Sequence, residues 1–182
     1  MANEEHTIEG VAPGENMLHV VHRSFVGLLL VYIQVGVGFI AGAVLLYFLT
    51  PVVFSDIETS RQNLYASVAV GLIAVLLWLV LLIYTYIYRQ SKLIITDKNL
   101  TQVLQQGLFN RKVSELSMSN VEDVTANQRG VFASIFGYGN LNVETAGEQN
   151  NFNFKFCPKP NFYGRIILDA RQAYIDTGRT NP

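Results

Sequence analysis

The chain divides into three regions that differ in their pattern of apolar and polar residues: a polar arm, two long apolar runs, and a C-terminal part of short alternating runs. Residues 25–50 and 64–88 contain no charged side chain. About 20 apolar residues are enough to cross a hydrocarbon core of about 30 Å. The two runs therefore predict a transmembrane helical hairpin, with the short polar segment 51–63 as its connector.

The pattern changes from helical to strand-like at about residue 89. A glycine-closed segment at 131–139 predicts a short helical turn, and the apolar spacing over 161–176 predicts a helix with Asn161 as N-cap and Gly178 beyond its end. Six runs have the length and composition of strands, namely 93–97, 100–106, 112–118, 121–128, 140–146 and 151–156. Residues 89–178 thus predict an antiparallel β-barrel or sandwich capped by a C-terminal helix, followed by a tail at 179–182. The fold class is that of an α+β membrane protein.

The last predicted hairpin supplies a candidate core. Its two strands face each other across a turn at 147–150. Phe152, Phe154 and Phe156 alternate with polar residues, and side chains two apart on a strand point to the same face. We therefore expect all three rings in one core.

The N-terminal arm, residues 1–24, carries four glutamates. Its first dozen residues are polar and are predicted to be disordered. Met17, Leu18, Val20 and Val21 then predict a short interfacial helix that leads into the first span.

Charge is distributed unevenly along the chain, although the net charge is only -1. Arg23 precedes the first span, Arg61 is the one basic residue of the connector, and three basic residues follow the second span, namely Arg89, Lys92 and Lys98. Cytoplasmic segments beside a span carry an excess of Lys and Arg. This predicts an inner-membrane protein with both termini in the cytoplasm and the connector outside.

Two features inside the spans are candidates for helix packing. Gly38 and Gly42 form a GxxxG pair, and Gln34 is a polar side chain at mid-depth of the first span. Small residues allow a close approach by another helix, either the second helix of the same hairpin or one from another copy. No ionisable residue lies in either span, so we do not expect ion or proton coupling.

Several segments together resemble the bacterial pleckstrin-homology (bPH) domain of YdbS-like membrane proteins. The residues that carry the resemblance are Ile95-Thr96-Asp97, Gly107-Leu108-Phe109, Gln128, the run Ile135 to Leu141 with Gly137 and Gly139, Thr145-Ala146-Gly147, and Pro158. The Gly14-Glu15 pair and the two-helix hairpin also resemble this family. The resemblance covers residues 14–175 and implies a PH superfold on a membrane tether, without a defined biochemical activity.

No catalytic group of residues is recognisable, so we predict that the protein is not an enzyme and needs no cofactor. The part that follows the spans contains no histidine, the usual base for a Ser or Cys nucleophile. Cys157 is the single cysteine, which excludes an internal disulfide and favours a buried small apolar side chain. His19 and His22 lack further ligands for a metal and are predicted to lie at headgroup level.

A basic set beside the spans is predicted to contact the membrane surface: Arg89, Lys92, Lys98, Arg111 and Lys112. Eukaryotic PH domains hold inositol phosphates with a basic cluster between their first two strands. Here that turn offers only Lys98 beside Asp97, so no specific phosphoinositide is expected.

Taken together, these features predict a non-catalytic interaction module at the inner face of the membrane. Its partners would be the bilayer and either a protein or peptide or further copies of itself, but no nucleic acid. The alternative is an accessory subunit of a membrane transport or pore-forming assembly, in which several hairpins pack side by side.

Overall fold

The structure is a computed structural model, and it describes residues 14–53, 55, 58–145 and 151–180. The predicted disorder of the arm, the turn at 147–150 with the family residue Gly147, and the end of the tail lie outside the described residues.

Four helices and seven strands make up the described chain. In order they are β1 (Met17–His22), α1 (Phe25–Val53), α2 (Thr59–Gln90), β2 (Lys92–Thr96), β3 (Asn99–Gln105), β4 (Arg111–Ser117), a 3₁₀ turn (Met118–Asn120), β5 (Val121–Asn127), α3 (Val131–Phe136), β6 (Tyr138–Thr145), β7 (Phe152–Pro158) and α4 (Pro160–Thr180). They form two units. Residues 27–86 form a helical hairpin, and the β-domain combines residues up to 26 with residues from 87 onward.

The helical hairpin consists of two helices that are long and apolar enough to cross a membrane. Both exceed the predicted spans, because α1 continues through Pro51 to Val53 and α2 already begins at Thr59. The carbonyl of Glu58 accepts hydrogen bonds from the amides of Arg61 and Gln62, so polar residues of the predicted connector form the first turn of α2. Within the hairpin, the Tyr32 hydroxyl lies 2.7 Å from Thr85 Oγ1.

The first sheet has the strand order β1-β2-β3-β4, with all neighbours antiparallel. Its first strand corrects the prediction of an interfacial helix, because Met17–His22 is extended and pairs with β2. In this pairing Val21 lies opposite Leu93, and both side chains are buried in the core. The β-branched pair Val20-Val21 suits a strand, and pairing with a partner about 70 residues away along the chain overrides the local apolar pattern.

The second sheet has the order β5-β6-β7 and packs with the first around one core. That core includes Leu100 and Leu116 from the first sheet, Leu141 and Phe154 from the second, and Ile167 from α4. The buried amide of Gln102 donates to the carbonyl of Asn153 at 3.0 Å and so ties the two sheets together. The six predicted strands are confirmed, and β1 is the seventh.

Phe156 departs from the predicted alternation of phenylalanines. Phe152 and Phe154 are buried as expected, but Phe156 has a φ of 56° and is only half-buried. The pairing of β6 with β7 shifts register near this point, so Cys157 takes the core position with 0% exposure. The core therefore holds the small thiol of Cys157 at the position where the alternation predicted the ring of Phe156.

The C-terminal helix α4 begins one residue earlier than predicted and continues through Gly178. Asn161 is therefore not its N-cap. The carbonyl of Lys159 accepts the amide hydrogen bonds of Phe162 and Tyr163, and Pro160 occupies the first helical position, where its missing N–H costs nothing.

Candidate functional site

The segment just before β1 is fastened to the turn that follows β2. The hydroxyl of Thr96 lies 2.9 Å from Glu15 Oε2 and accepts the amide N–H of Asn99 at 2.8 Å. The side-chain amide of Asn99 donates to Glu15 Oε1. Thr96 itself is fully buried, so its hydroxyl depends on these partners.

Asp97 completes this fastening. Its carboxylate accepts the backbone N–H of Asn16 at 2.9 Å and the Asn16 side-chain amide at 3.0 Å, while the Asp97 amide donates to the Asn16 carbonyl. Lys98 Nζ donates to the carbonyl of Gly14 at 2.9 Å. The family residues Thr96 and Asp97 thus have a structural task here. They hold the N-terminal segment in the sheet.

The basic residues predicted for the membrane surface fall into two groups. Lys92 opens β2 and Arg111 opens β4, both on the side of the sheet where the chain leaves for the helices. Lys98 lies in the turn between β2 and β3, at the opposite end of the same strands. Lys92, Arg111 and Lys112 therefore lie at one end of the sheet, next in sequence to Arg89 at the end of α2, and Lys98 lies at the other end.

The family glycines support turns and one close approach. Gly137 adopts a left-handed conformation with φ 65° and ends α3. A Cβ on Gly139 would lie 2.7 Å from the carbonyl oxygen of Asn127 and 2.9 Å from Pro160 Cγ. Gly107 lies in the loop between β3 and β4, and Pro158 pairs with Tyr138 at the end of β7. These positions shape the domain and present no reactive group.

The glycine pair of α1 lines an apolar groove within the helical hairpin. Gly38 and Gly42 are two of its six α1 residues, and the groove of about 390 Å³ also includes residues of α2, namely Val70, Ile73 and Leu77. A Cβ on either glycine would meet no atom within 4 Å. The glycines thus face the second helix without a close approach to it. Gln34 is exposed on α1 and is not among the lining residues.

A second groove lies in the β-domain, beside the C-terminal half of α4. It has a volume of about 390 Å³ and a mainly apolar lining, which includes Leu18, Ala170, Ala173 and Tyr174. Asp97 and Lys98 also line it. We call it the α4 groove. Its residues come from β1, from the turn after β2 and from α4. The groove therefore cannot be predicted from any single segment of the sequence.

Cys157 and the two histidines of β1 are the remaining groups considered for reactive chemistry. Burial raises the pKa of Cys157 to about 12, so the thiol stays neutral. His19 and His22 are three apart on a strand and point to opposite faces, and His19 packs edge-on against Phe162 and Tyr163. Among the described residues, no group of three His, Cys, Asp or Glu side chains could hold a metal ion.

The fold defines a class: two antiparallel sheets of four and three strands, closed by a C-terminal helix, on a chain with two long apolar helices. The family model for the bacterial PH domain matches residues 24–163, well over half of the chain. The chain belongs to the bacterial PH domain family. No curated protein and no solved structure matches it. Strand β1 precedes the matched range, so its place in the sheet comes from the structure alone.

Proposed function

We propose that the protein is a membrane-anchored interaction module of the YdbS-like type. In this proposal α1 and α2 cross the cytoplasmic membrane, and the β-domain binds a protein partner at the inner face. The domain works by binding and not by catalysis.

The pairing of β1 with β2 is the observation that carries this proposal. The two strands flank the helical hairpin in sequence, and they are neighbours in one sheet. If the helices span the bilayer, the segment from Gly14 and the whole β-domain must then lie on the same side. The excess of basic residues after α2 favours the cytoplasmic side.

Support for a non-catalytic role comes from the chemistry of the domain. PH domains are in general binding modules, and the carboxylates of Glu15 and Asp97 are hydrogen-bonded to neighbouring side chains and amides. The neutral, buried thiol of Cys157 is a poor nucleophile, because the thiolate is the reactive form.

The α4 groove is the surface we propose for the partner. Leu18 and Tyr174 are 43% and 36% exposed, which leaves apolar area for the side chains of a partner to cover. The charged residues Asp97 and Lys98 at its border would add polar contacts that fix the partner's orientation. Self-assembly through the groove at Gly38 and Gly42 is the alternative use of this chain.

The mass of the complex extracted in mild detergent, with identification of co-purified proteins, tests the proposal. We expect a stoichiometric partner that is lost in a Leu18→Asp/Tyr174→Ser variant. Leu168→Ser is the matched control, because Leu168 is exposed on α4 outside the groove.

A homo-oligomer that dissociates on Gly38→Leu and Gly42→Leu, but not on Gly36→Leu, would move the binding surface to the hairpin. Gly36 is a suitable control because it lies on the same helix but outside the groove. A monomer that co-purifies with nothing would refute the interaction role.

A further inference from the structure

One end of the β-domain carries exposed apolar side chains. It is the end at which the chain departs at Ser24 and returns at Tyr88, and we call it the entry end. The amide of Ser24 donates to the carbonyl of Phe156 at 2.7 Å, and the Tyr88 hydroxyl donates to the carbonyl of Ser24 at 2.7 Å. These bonds define the entry end within the β-domain itself.

The first apolar projection at the entry end is the loop between β3 and β4. Phe109 is 100% exposed, and Leu108 beside it is 45% exposed. The loop is held by backbone bonds from Gln106 and Gly107 to the carbonyl of Asn110. Its position follows from the amide of Gln105, which donates to Ser91 Oγ three residues after Tyr88.

The second projection is helix α3. Four of its six residues are apolar and exposed by between 48% and 73%: Val131, Phe132, Ile135 and Phe136. Only Ala133 is buried, so the helix turns its apolar face outward. Its position is fixed through Tyr138, which follows it. The ring centroids of Tyr138 and Phe156 are 5.6 Å apart, and those of Phe156 and Tyr88 are 6.3 Å apart.

Charge separates along the same direction. The segments 87–96, 98–114 and 124–143 contain no acidic residue. At the entry end they supply Arg89, Lys92, Arg111, Lys112 and Arg129. Acidic residues lie at the opposite end, where Asp97 accepts from Asn16, Glu115 accepts from Asn99, and Asp123 lies opposite Glu144 in the register of β5 and β6. Lys98 is the basic residue of the turn at that end.

We propose that the entry end is a second membrane anchor, in which Phe109 and the apolar face of α3 insert into the interface of an anionic leaflet. Exposed apolar tips surrounded by Lys and Arg are the composition that binds such an interface, by burial of apolar area and by attraction to anionic headgroups. The same covalent chain enters the proposed spans at this end, so the tips need no separate targeting. This inference rests on the proposed membrane anchoring.

Single cysteines that carry an environment-sensitive fluorophore test the inference in the full-length protein in nanodiscs of anionic lipid. Native Cys157 is buried and neutral, so an added surface cysteine is labelled selectively. The reporters are Phe109→Cys and Ile135→Cys at the entry end, Leu76→Cys on α2, and Ser119→Cys at the opposite end as control. Nitroxide-bearing lipids quench labels inside the bilayer, and iodide quenches labels in water.

We expect lipid quenching at positions 109 and 135 that is at least about three-fold stronger than at 119. Replacing the anionic lipid with a zwitterionic one should weaken the quenching at 109 and 135 and leave position 76 unchanged. Iodide quenching at 109 and 135, with position 76 quenched by lipid, would overturn the second anchor and leave the first intact.

Two other outcomes also overturn the inference. Labels at 109 and 135 that are shielded from both quenchers would show that protein, such as a second copy, covers the tips. A label at 76 that lipid does not quench would remove the membrane anchoring on which the inference depends.

Discussion

Phe156 and Cys157 show how one backbone angle decides which side chain enters a core. The positive φ of Phe156 turns its ring toward Tyr88 and Tyr138, and Cys157 fills the core position next to it. Sequence alternation predicted a third phenylalanine in the core, because alternation assumes regular pleating. The burial of Cys157 was predictable from its neighbours, but the register shift that places it there was not.

Cys157 should resist alkylation while the β-domain is folded. Burial raises the pKa of the thiol from 9.0 to about 12, so at pH 8 its thiolate is about a thousand-fold scarcer than in the unfolded chain. We expect iodoacetamide to modify the native protein at least that much more slowly than the denatured protein.

Because ionisation of this thiol opposes folding, the stability that depends on its neutral form is intact below pH 9 and is lost as the pH rises toward 12.

Mass spectrometry of quenched time points gives the two rates. Equal rates in native and denatured protein would contradict the burial of the thiol.

The buried hydroxyl of Thr96 should matter more than an exposed one. In Thr96→Val the carboxylate of Glu15 and the amide of Asn99 lose a hydrogen-bond partner, which we expect to cost about 1–3 kcal/mol. Thermal unfolding in detergent measures the effect. Thr125→Val is the matched control, since Thr125 is exposed and makes one long bond to Asp123. A Thr96 variant as stable as this control would refute the role of the motif.

Local pattern identified six strands, β2 to β7, and missed the one strand whose identity depends on a distant partner. The six have the length and composition of strands and are bounded by turn residues, and these are local signals. In contrast, the segment Met17–His22 is short and apolar, a pattern that fits an interfacial helix equally well. It forms a strand because its backbone pairs with the edge of β2 and the side chain of Val21 is buried in the core.

Gly139 and Gly42 differ in the space that surrounds their Cα atoms. Gly139→Ala would place a methyl group against the backbone oxygen of Asn127, which cannot move aside freely. We expect a loss of about 1–3 kcal/mol in the free energy of unfolding, as for other overpacked sites.

Gly42→Ala, in contrast, meets no atom within 4 Å and gains helix propensity, so the melting temperature should stay the same or rise. A destabilising Gly42→Ala would show that the groove at the glycine pair is closed.

On the scale of the whole molecule, the sequence predicted a hairpin followed by a domain, whereas the structure shows a domain interrupted by a hairpin. The β-domain takes its first strand from before α1 and the remainder from after α2. Neither the α4 groove nor the entry end was foreseen, because each combines segments that are far apart along the chain. The exposed apolar residues of α3 were a visible signal, yet only the structure shows that they face outward.

Val21 therefore should be as important to the β-domain as any residue after the hairpin. Val21→Asp would bury a carboxylate among Leu93 and the other core residues, and we expect the β-domain to unfold or become protease-sensitive. The neighbouring change His22→Asp, at an exposed position, is the control. If limited proteolysis is unchanged in Val21→Asp, then β1 is not part of the sheet.

A decisive experiment compares the sidedness of the connector, at Glu58, with that of the β-domain, at Ser119. In a bacterial host, an impermeant maleimide is applied to intact cells and to inverted membrane vesicles that contain Glu58→Cys or Ser119→Cys protein. We expect position 58 to be labelled in intact cells and position 119 only in inverted vesicles. Labelling of both positions from the same side, or recovery of the protein in the soluble fraction, would contradict a β-domain anchored at the inner face by a spanning hairpin.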